Sequence, residues 1–156
     1  VDNYFRKTKL QGYVHDMGAA MQSGVGGHAG LFGDAYDVAA MMLMYLQDGN
    51  YNGLKLLESE IIDAFNKSYF ASKGNRRGVG FDKPQLSGNH QSTCGCVSKK
   101  SFGHSGYTGT YAWVDPDKEI IIVILANRTY PNDDKTFSEK NIRTRIQEYV
   151  YEALIN

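Results

Sequence analysis

His104, Ser105 and Gly106 stand side by side in the stretch Ser101-Phe-Gly-His-Ser-Gly-Tyr-Thr-Gly-Thr-Tyr-Ala-Trp-Val-Asp-Pro116, which leads into the aliphatic run Glu119-Ile-Ile-Ile-Val-Ile-Leu-Ala-Asn-Arg128. An imidazole, a hydroxyl and a position without a side chain are residue types that acyl transfer uses. A small hydroxyl residue followed by glycine lets an extended substrate lie against a strand, and the next backbone N–H can help hold a developing oxyanion. His104 can donate to a substrate carboxylate or to a catalytic neighbour, with a charge that is lost near neutrality. Ser105 is not read as an independent nucleophile. No Gly-x-Ser-x-Gly elbow surrounds it, and on a strand its neighbour His104 points to the opposite face. Tyr107 follows as a substrate-facing aromatic wall.

Other residues with chemical potential are more scattered. His28 lies in a glycine-rich loop, where it either lines the cleft or is a hydrogen-bonded structural histidine. Arg76 and Arg77 sit in a charged loop, solvated or in contact with an anion. Cys94 and Cys96 flank one glycine. Residues at i and i+2 rarely reach disulfide geometry, so two loop thiols are expected in place of a bridge. With His90 and His104 they also make a set of zinc-ligand types, although the spacing matches no pair of C-x2-C knuckles.

Several elements must position these groups. Residues 1–30 read as an irregular, docked loop, broken by Gly12, Gly18, Gly24, Gly26, Gly27 and Gly30. Asp34 to Gln47 is a helix capped by Asp34, with Asp37 in its first turn and an apolar stripe of Val38, Met41, Met42, Tyr45 and Leu46. Its methionines are core filler, not a cofactor box. After a turn at Asn50–Gly53, a second helix covers Glu58 to Asn66 and buries Ile61, Ile62 and Phe65. Gly78-Val-Gly-Phe81 reads as a short strand with close backbone approach, and Gln85 to Lys100 as a surface excursion. Strands are expected over 101–106, 109–115 and 119–127, the last apolar on both faces and therefore covered on both. A closing helix, Ser138 to Ile155, presents Ile142, Ile146, Val150, Ala153 and Leu154 inward and leaves Arg143 and Arg145 solvated. Strands joined by tight turns and followed by a helix imply an α+β fold, an antiparallel sheet with flanking helices.

Composition narrows the function. The 156 residues carry Lys+Arg 17 against Asp+Glu 17, which supplies no basic surface for nucleic acid. No apolar run approaches the roughly 20 residues of a spanning helix. No signal peptide is present, and the opening Val1 fits a processed or excised chain.

The stretch Gly103 to Gly109, Trp113-Val-Asp-Pro116, the aliphatic strand and Ala126-Asn-Arg-Thr-Tyr-Pro131 resemble, in order and spacing, the C-terminal part of the penicillin-binding-protein and class C β-lactamase superfamily. Gly27-His-Ala-Gly-Leu-Phe-Gly-Asp-Ala-Tyr-Asp-Val-Ala39 resembles the family's glycine loop entering a helix, and Gly78-Val-Gly-Phe81 its Gly-x-Gly-aromatic strand. The resemblance spans roughly residues 20 to 155. It implies a partial β-lactamase/transpeptidase-like fold in one partial domain: 1–30 irregular, 34–70 helical lobe, 78–156 sheet and closing helix. It makes His104-Ser105-Gly106 the family's third motif, with Tyr107, Asn127 and His28 as further substrate-binding candidates. The first motif, Ser-x-x-Lys, occurs nowhere in the sequence, so no catalytic residue is assigned, and the chain alone is expected to be inactive. Tyr130-Pro131-Asn132 and Ser87-Gly88-Asn89 match the second motif literally but stand in the wrong place and read as turns. A histidine in place of the family's lysine weakens recognition of an anionic substrate.

The implied reaction is acylation of a serine by an ester, amide, β-lactam or cell-wall peptide, followed by hydrolysis, with no cofactor and no metal. The alternative is a non-catalytic binding or scaffold module. The wording of Leu10-Gln-Gly-Tyr-Val-His-Asp16, Asn75-Arg-Arg-Gly78 and Asn141-Ile-Arg-Thr-Arg145 is similar to versions fused to family 3 glycoside hydrolases of the β-N-acetylhexosaminidase type. That implies a periplasmic or cell-envelope parent. The expected partners are the missing N-terminal part of the same domain and a small-molecule or cell-wall-derived substrate, with no nucleic acid and no membrane span. Alone, an open sheet edge and apolar face imply a homodimer.

Overall fold

The computed structural model describes residues 2–85, 92–133 and 135–155. Ser87-Gly88-Asn89 and His90 lie outside the described residues. The chain runs α1 (Met17–Met21), α2 (Ala35–Leu46), β1 (Asn50–Tyr51), β2 (Leu54–Lys55), α3 (Ser59–Asn66), β3 (Phe102–Ser105), β4 (Tyr111–Asp115), β5 (Ile120–Ile124), α4 (Thr136–Glu139) and α5 (Ile142–Ile155).

The α2 helix forms for the reasons its sequence suggests. Asp34 accepts from the backbone N–H groups of Tyr36 and Asp37, and Asp37 accepts in return from the Asp34 N–H, closing a capping box. Gly49 ends it at φ 89°, its N–H bonded to Met44 O. The buried methionines are Met42 and Met44, whereas Met41 faces out, so the inward stripe is rotated from the expected one. The Asn52-Gly53 pair turns β1 into β2 with both residues at positive φ.

The central sheet is antiparallel in the order β3-β4-β5. Register pairs His104 with Ala112 and Ser105 with Tyr111, and then Tyr111 with Ile124. Side chains alternate between two faces. Phe102 and Val114 pack with Met42, Val38 and Tyr45 of α2 on one side. Tyr111, Trp113 and Ile122 pack with Tyr151, Val150 and Cys94 on the other. Both faces of the aliphatic β5 are thus covered, as its composition requires. Trp113 is 1% exposed and stacks on Tyr111 at 5.6 Å between ring centroids. Burial of one such aromatic stabilises by about 3 kcal/mol.

Several expected features differ. The first 30 residues contain the short helix α1, capped by Asp16, whose carboxylate accepts from Ala19 N–H. Gly78 to Phe81 is a turn, closed by Gly78 N–H to Phe81 O, and the sheet contact falls one residue later in a bridge between Asp82 and Gly103. The expected close approach at Gly78 is real, but the neighbour is α3: a Cβ there would meet Phe65 O at 2.4 Å. In α3 only Ile62 is buried, with Ile61 and Phe65 on the surface.

The stretch after residue 91 is less of a surface excursion than expected, because Thr93 and Cys94 are buried beneath α5. The closing helix comes in two pieces, interrupted where Asn141 takes φ 51°. Its inward residues are Gln147, Tyr151 and, in part, Arg143 and Val150, while Ile146, Ala153 and Leu154 face out. Cys94 and Cys96 are joined in a disulfide, contrary to the expected free thiols. The chain turns at Gly95–Cys96 and holds the two Cα atoms 5.3 Å apart, within ordinary bridging distance. Among the described residues no helix is long and apolar enough to cross a membrane.

Candidate functional site

β3 is the outer strand of the sheet, and among the described residues its far edge is only half occupied. Gly103 spends its N–H and its carbonyl on Asp82, at 3.1 and 2.8 Å. Backbone direction repeats every second residue, so the N–H and carbonyl of Ser105 face that same open side. His104 and Ser105 are both exposed there, beyond the end of the Asp82 bridge. An extended chain laid along this edge meets the Ser105 N–H as a further strand would, while the Ser105 carbonyl lies 2.9 Å from His104 Nδ1. Gly103 is glycine for a packing reason: a Cβ would come within 2.1 Å of Ala112 O and 2.5 Å of the Trp113 ring.

The two side chains of the motif point to opposite faces, as alternation requires. Ser105 opens on the α5 side, into a small cavity of about 90 Å³ lined also by Ser92, Phe137, Asn141 and Arg143. His104 lies on the α2 side, with Nδ1 2.9 Å from Ser105 O and Nε2 2.8 Å from Arg77 Nη1.

Two arginines hold the turn that follows the motif. Arg143 Nη2 donates to Gly106 O at 2.5 Å and its Nε to Gly109 O at 3.1 Å. Arg128 Nε donates to Tyr107 O at 2.6 Å, and the Arg128 backbone N–H to Thr108 O at 2.7 Å. All four carbonyls of residues 106–109 are therefore committed. Arg143 is not the solvated residue that helical periodicity suggested. It is half-buried, and desolvation lowers its pKa from the ordinary arginine value.

Tyr107 is exposed but not loose. Its hydroxyl donates to Asp133 at 2.5 Å, the Arg128 guanidinium sits 4.4 Å from its ring centroid, and His15 stacks at 5.8 Å. The Tyr107 hydroxyl and then Arg128 hold the Asp133 carboxylate below its ordinary range. Asn127 adjoins the same turn, its side-chain oxygen occupied by Thr129 N–H and Oγ1.

His28 is anchored elsewhere, with Nε2 2.8 Å from Asp16 Oδ1 and glycines on either side of the ring: Cβ atoms at Gly18 and Gly26 would lie 3.4 and 3.2 Å from it. Ala19 N–H and then His28 keep the Asp16 carboxyl below its ordinary range. His28 makes no hydrogen bond to the β3 edge among the described residues. The adjacent residues His15 and Asp16 reach in two directions, one to Tyr107 and the other to His28. Arg6 fixes that junction by donating to Val14 O and His15 O.

The zinc reading is not carried by this arrangement. Cys94 and Cys96 are bonded to each other, and among the described residues no three potential ligands gather round one point.

The Beta-lactamase family model matches residues 3–145. The chain belongs to the beta-lactamase family. Relatives include proteins named "Putative D-alanyl-D-alanine carboxypeptidase" in Salmonella gallinarum and Salmonella enteritidis, each 36% identical over 129 residues that cover 80% of this chain and 29% of the relative. The Salmonella typhi protein of that name is 35% identical over the same length. The chain thus spans less than a third of those relatives. A crystal structure of a beta-lactamase from Mycobacterium bovis superposes with a TM-score of 0.63 at 20% identity, covering 81% of this chain and 46% of the other. The α+β architecture of the beta-lactamase-like fold is therefore present here.

Arg143 and His15 were not singled out for the site by sequence, whereas Arg77, read there as either solvated or an anion contact, lies 2.8 Å from His104. Arg143 stands four residues before Gln147 on the face that α5 buries. An i, i+4 pair of long polar residues on a helix that must pack was the available signal.

Proposed function

We propose that this chain forms the substrate-binding wall of a serine hydrolase that works through an acyl-enzyme, with Ser-x-x-Lys and the second motif supplied by a further part of the same domain. The observation that carries this reading is the open β3 edge at Ser105, followed by a turn whose carbonyls are all held. An extended acyl substrate pairs with Ser105, Gly106 admits it without a side-chain clash, and the Tyr107 N–H adds to the oxyanion donors. The relatives' printed names make a peptide ending in D-alanyl-D-alanine the first substrate to try, and a cell-envelope location follows from that substrate.

The exposed Leu31, Phe32 and Tyr36 support a surface covered by the rest of the domain and, in the isolated chain, by a second copy. From the wording of residues 10–16, 75–78 and 141–145, the parent is further proposed to carry a family 3 glycoside hydrolase domain, which sequencing of the flanking gene tests.

The functional test compares this chain with the full gene product, using a chromogenic β-lactam and an acyl-D-alanyl-D-alanine peptide. The full product hydrolyses at least one of them, the chain alone neither, and Ser105→Pro in the full product, which removes the edge N–H, lowers kcat/KM about 10-fold or more. A full product inert towards both, or indifferent to Ser105, overturns the reading in favour of a non-catalytic module.

A further inference from the structure

We propose that Arg77, not His104, is the anion-recognition group of this edge, and that the ligand it selects is an acyl peptide or related compound with a free carboxylate. The inference rests on reading the β3 edge as a substrate wall, and begins with hydrogen-bond bookkeeping at His104. A guanidinium N–H can only donate, so Nε2 of His104, 2.8 Å from Arg77 Nη1, is the acceptor. A carbonyl can only accept, so Nδ1, 2.9 Å from Ser105 O, carries the proton. In this arrangement the ring is neutral, and both its nitrogens are engaged. It has neither a charge nor a spare N–H to offer a carboxylate.

The positive charge comes from next door. Asp82 is buried and takes its close ion pair from Arg76, whose Nη2 lies 2.7 Å away and whose Nε donates to Lys83 O. Arg77 Nη2 stands 3.8 Å from the same carboxylate oxygen. One negative charge thus faces two guanidiniums, and the closer one takes the hydrogen bond. The net surplus sits on Arg77, whose side chain is 47% exposed beside His104. Lys83 does not fill the role, because its ammonium donates to Lys100 O and lies over the Phe102 ring.

Arg77 has its backbone fixed by N–H donation to Asn75 Oδ1 at 3.0 Å, and among the described residues its head makes one hydrogen bond, to His104, beside the longer ion pair to Asp82. The other N–H groups of the fork remain for a ligand, and a planar fork matches a carboxylate in two parallel bonds, as lysine cannot. His104 acts here as a positioning residue: it aims Arg77 along the edge on which Ser105 offers its backbone.

The test is a titration of the ¹⁵N-labelled chain with N-acetyl-D-alanyl-D-alanine and, separately, with its C-terminal carboxamide, followed by NMR. The expected result is that the free acid shifts the Arg77 Nε–H and the Ser105 and Gly106 amides, and binds at least 10-fold more tightly than the carboxamide. Arg77→Gln abolishes that preference while leaving the rest of the spectrum in place, and Arg77→Lys retains only part of it. Equal affinity for the two probes, or a preference that survives Arg77→Gln, overturns the assignment of Arg77 and leaves the edge reading standing. Binding of neither probe overturns the edge reading and this inference with it.

Discussion

Replacing Tyr151 with Phe probes the polar joint that pins the closing helix to the sheet. The Tyr151 hydroxyl donates to Asp115 Oδ2 at 2.6 Å, and Ser98 N–H donates to the same oxygen at 2.8 Å. Asp115 is fully buried at the end of β4 and Tyr151 is 3% exposed. The substitution removes only the hydroxyl, so the ring still packs and little cavity cost arises. What is lost is a hydrogen bond to a buried charged acceptor, worth about 2 kcal/mol. At roughly 3 °C per kcal/mol for a chain of this size, the melting temperature falls by about 6 °C. Urea unfolding at pH 7 followed by the fluorescence of the buried Trp113 reads the change directly.

The acid limb adds a second readout of the same bond. Burial alone would raise the Asp115 pKa, but the Ser98 and Tyr151 hydrogen bonds outweigh it and leave the group below its ordinary 3.8. A carboxylate lowered on folding contributes stability that is fully present above its unfolded value, about 3.9, and is lost as pH falls through the folded value. Tyr151→Phe shrinks the lowering, so less stability is lost below about pH 4 than in the wild-type chain. Equal unfolding energies for the two proteins at pH 7, within about 0.5 kcal/mol, would refute the claim that this bond joins helix to sheet.

Arg143→Ala strips Gly106 O and Gly109 O of their guanidinium partner; amide exchange across 106–109 accelerates and stability drops by about 2 kcal/mol, while unchanged exchange rates would show that the turn holds itself. Gly103→Ala forces a Cβ against the Ala112 carbonyl and the Trp113 ring, and costs about 3 kcal/mol in a urea melt because backbone cannot step aside; a cost under about 1 kcal/mol would mean that β3 sits further from β4 than described. Reduction of the Cys94–Cys96 bridge opens a very short loop, so the loss in stability is only about 1–2 kcal/mol; a loss above about 4 kcal/mol would show that the bridge does more than close that loop.

The parts of the fold legible in sequence are those that local chemistry decides. Asp34 and Asp37 cap α2 through their own backbone neighbours, and Ile120–Ile124 is β-branched enough to be a strand wherever it lies. The His104-Ser105-Gly106 strand and the turn after it were found for the same reason. The illegible parts depend on partners far along the chain. Gln147 is inward and Ile146 outward because α5 meets the segment around Cys94, packed on the sheet, whose Cys94 N–H donates to Gln147 Oε1 at 2.8 Å. An apolar stripe read from periodicity alone could not anticipate a polar demand 53 residues away. The i+2 bridge escaped because a general rule about cysteine spacing yields to one tight turn at Gly95.

The same dependence on distant partners bears on the chemistry of His104. As a residue type it suggests a donor to an anion, but its tautomer is set by what its two nitrogens meet, and one of those partners is 27 residues away. Arg77 turns the imidazole into an acceptor, and Asp82, by bonding Arg76 more closely, leaves Arg77 with charge to spare. Arg143 and Arg128, from α5 and from the segment after β5, then hold the turn that ends the edge. The motif occupies three consecutive residues, yet the orientation of its strand end and the charge beside it come from four other segments. A His104-Ser105-Gly106 tripeptide transplanted onto another sheet edge without Arg77 would therefore present a neutral strand, with no means of preferring an acid over its amide.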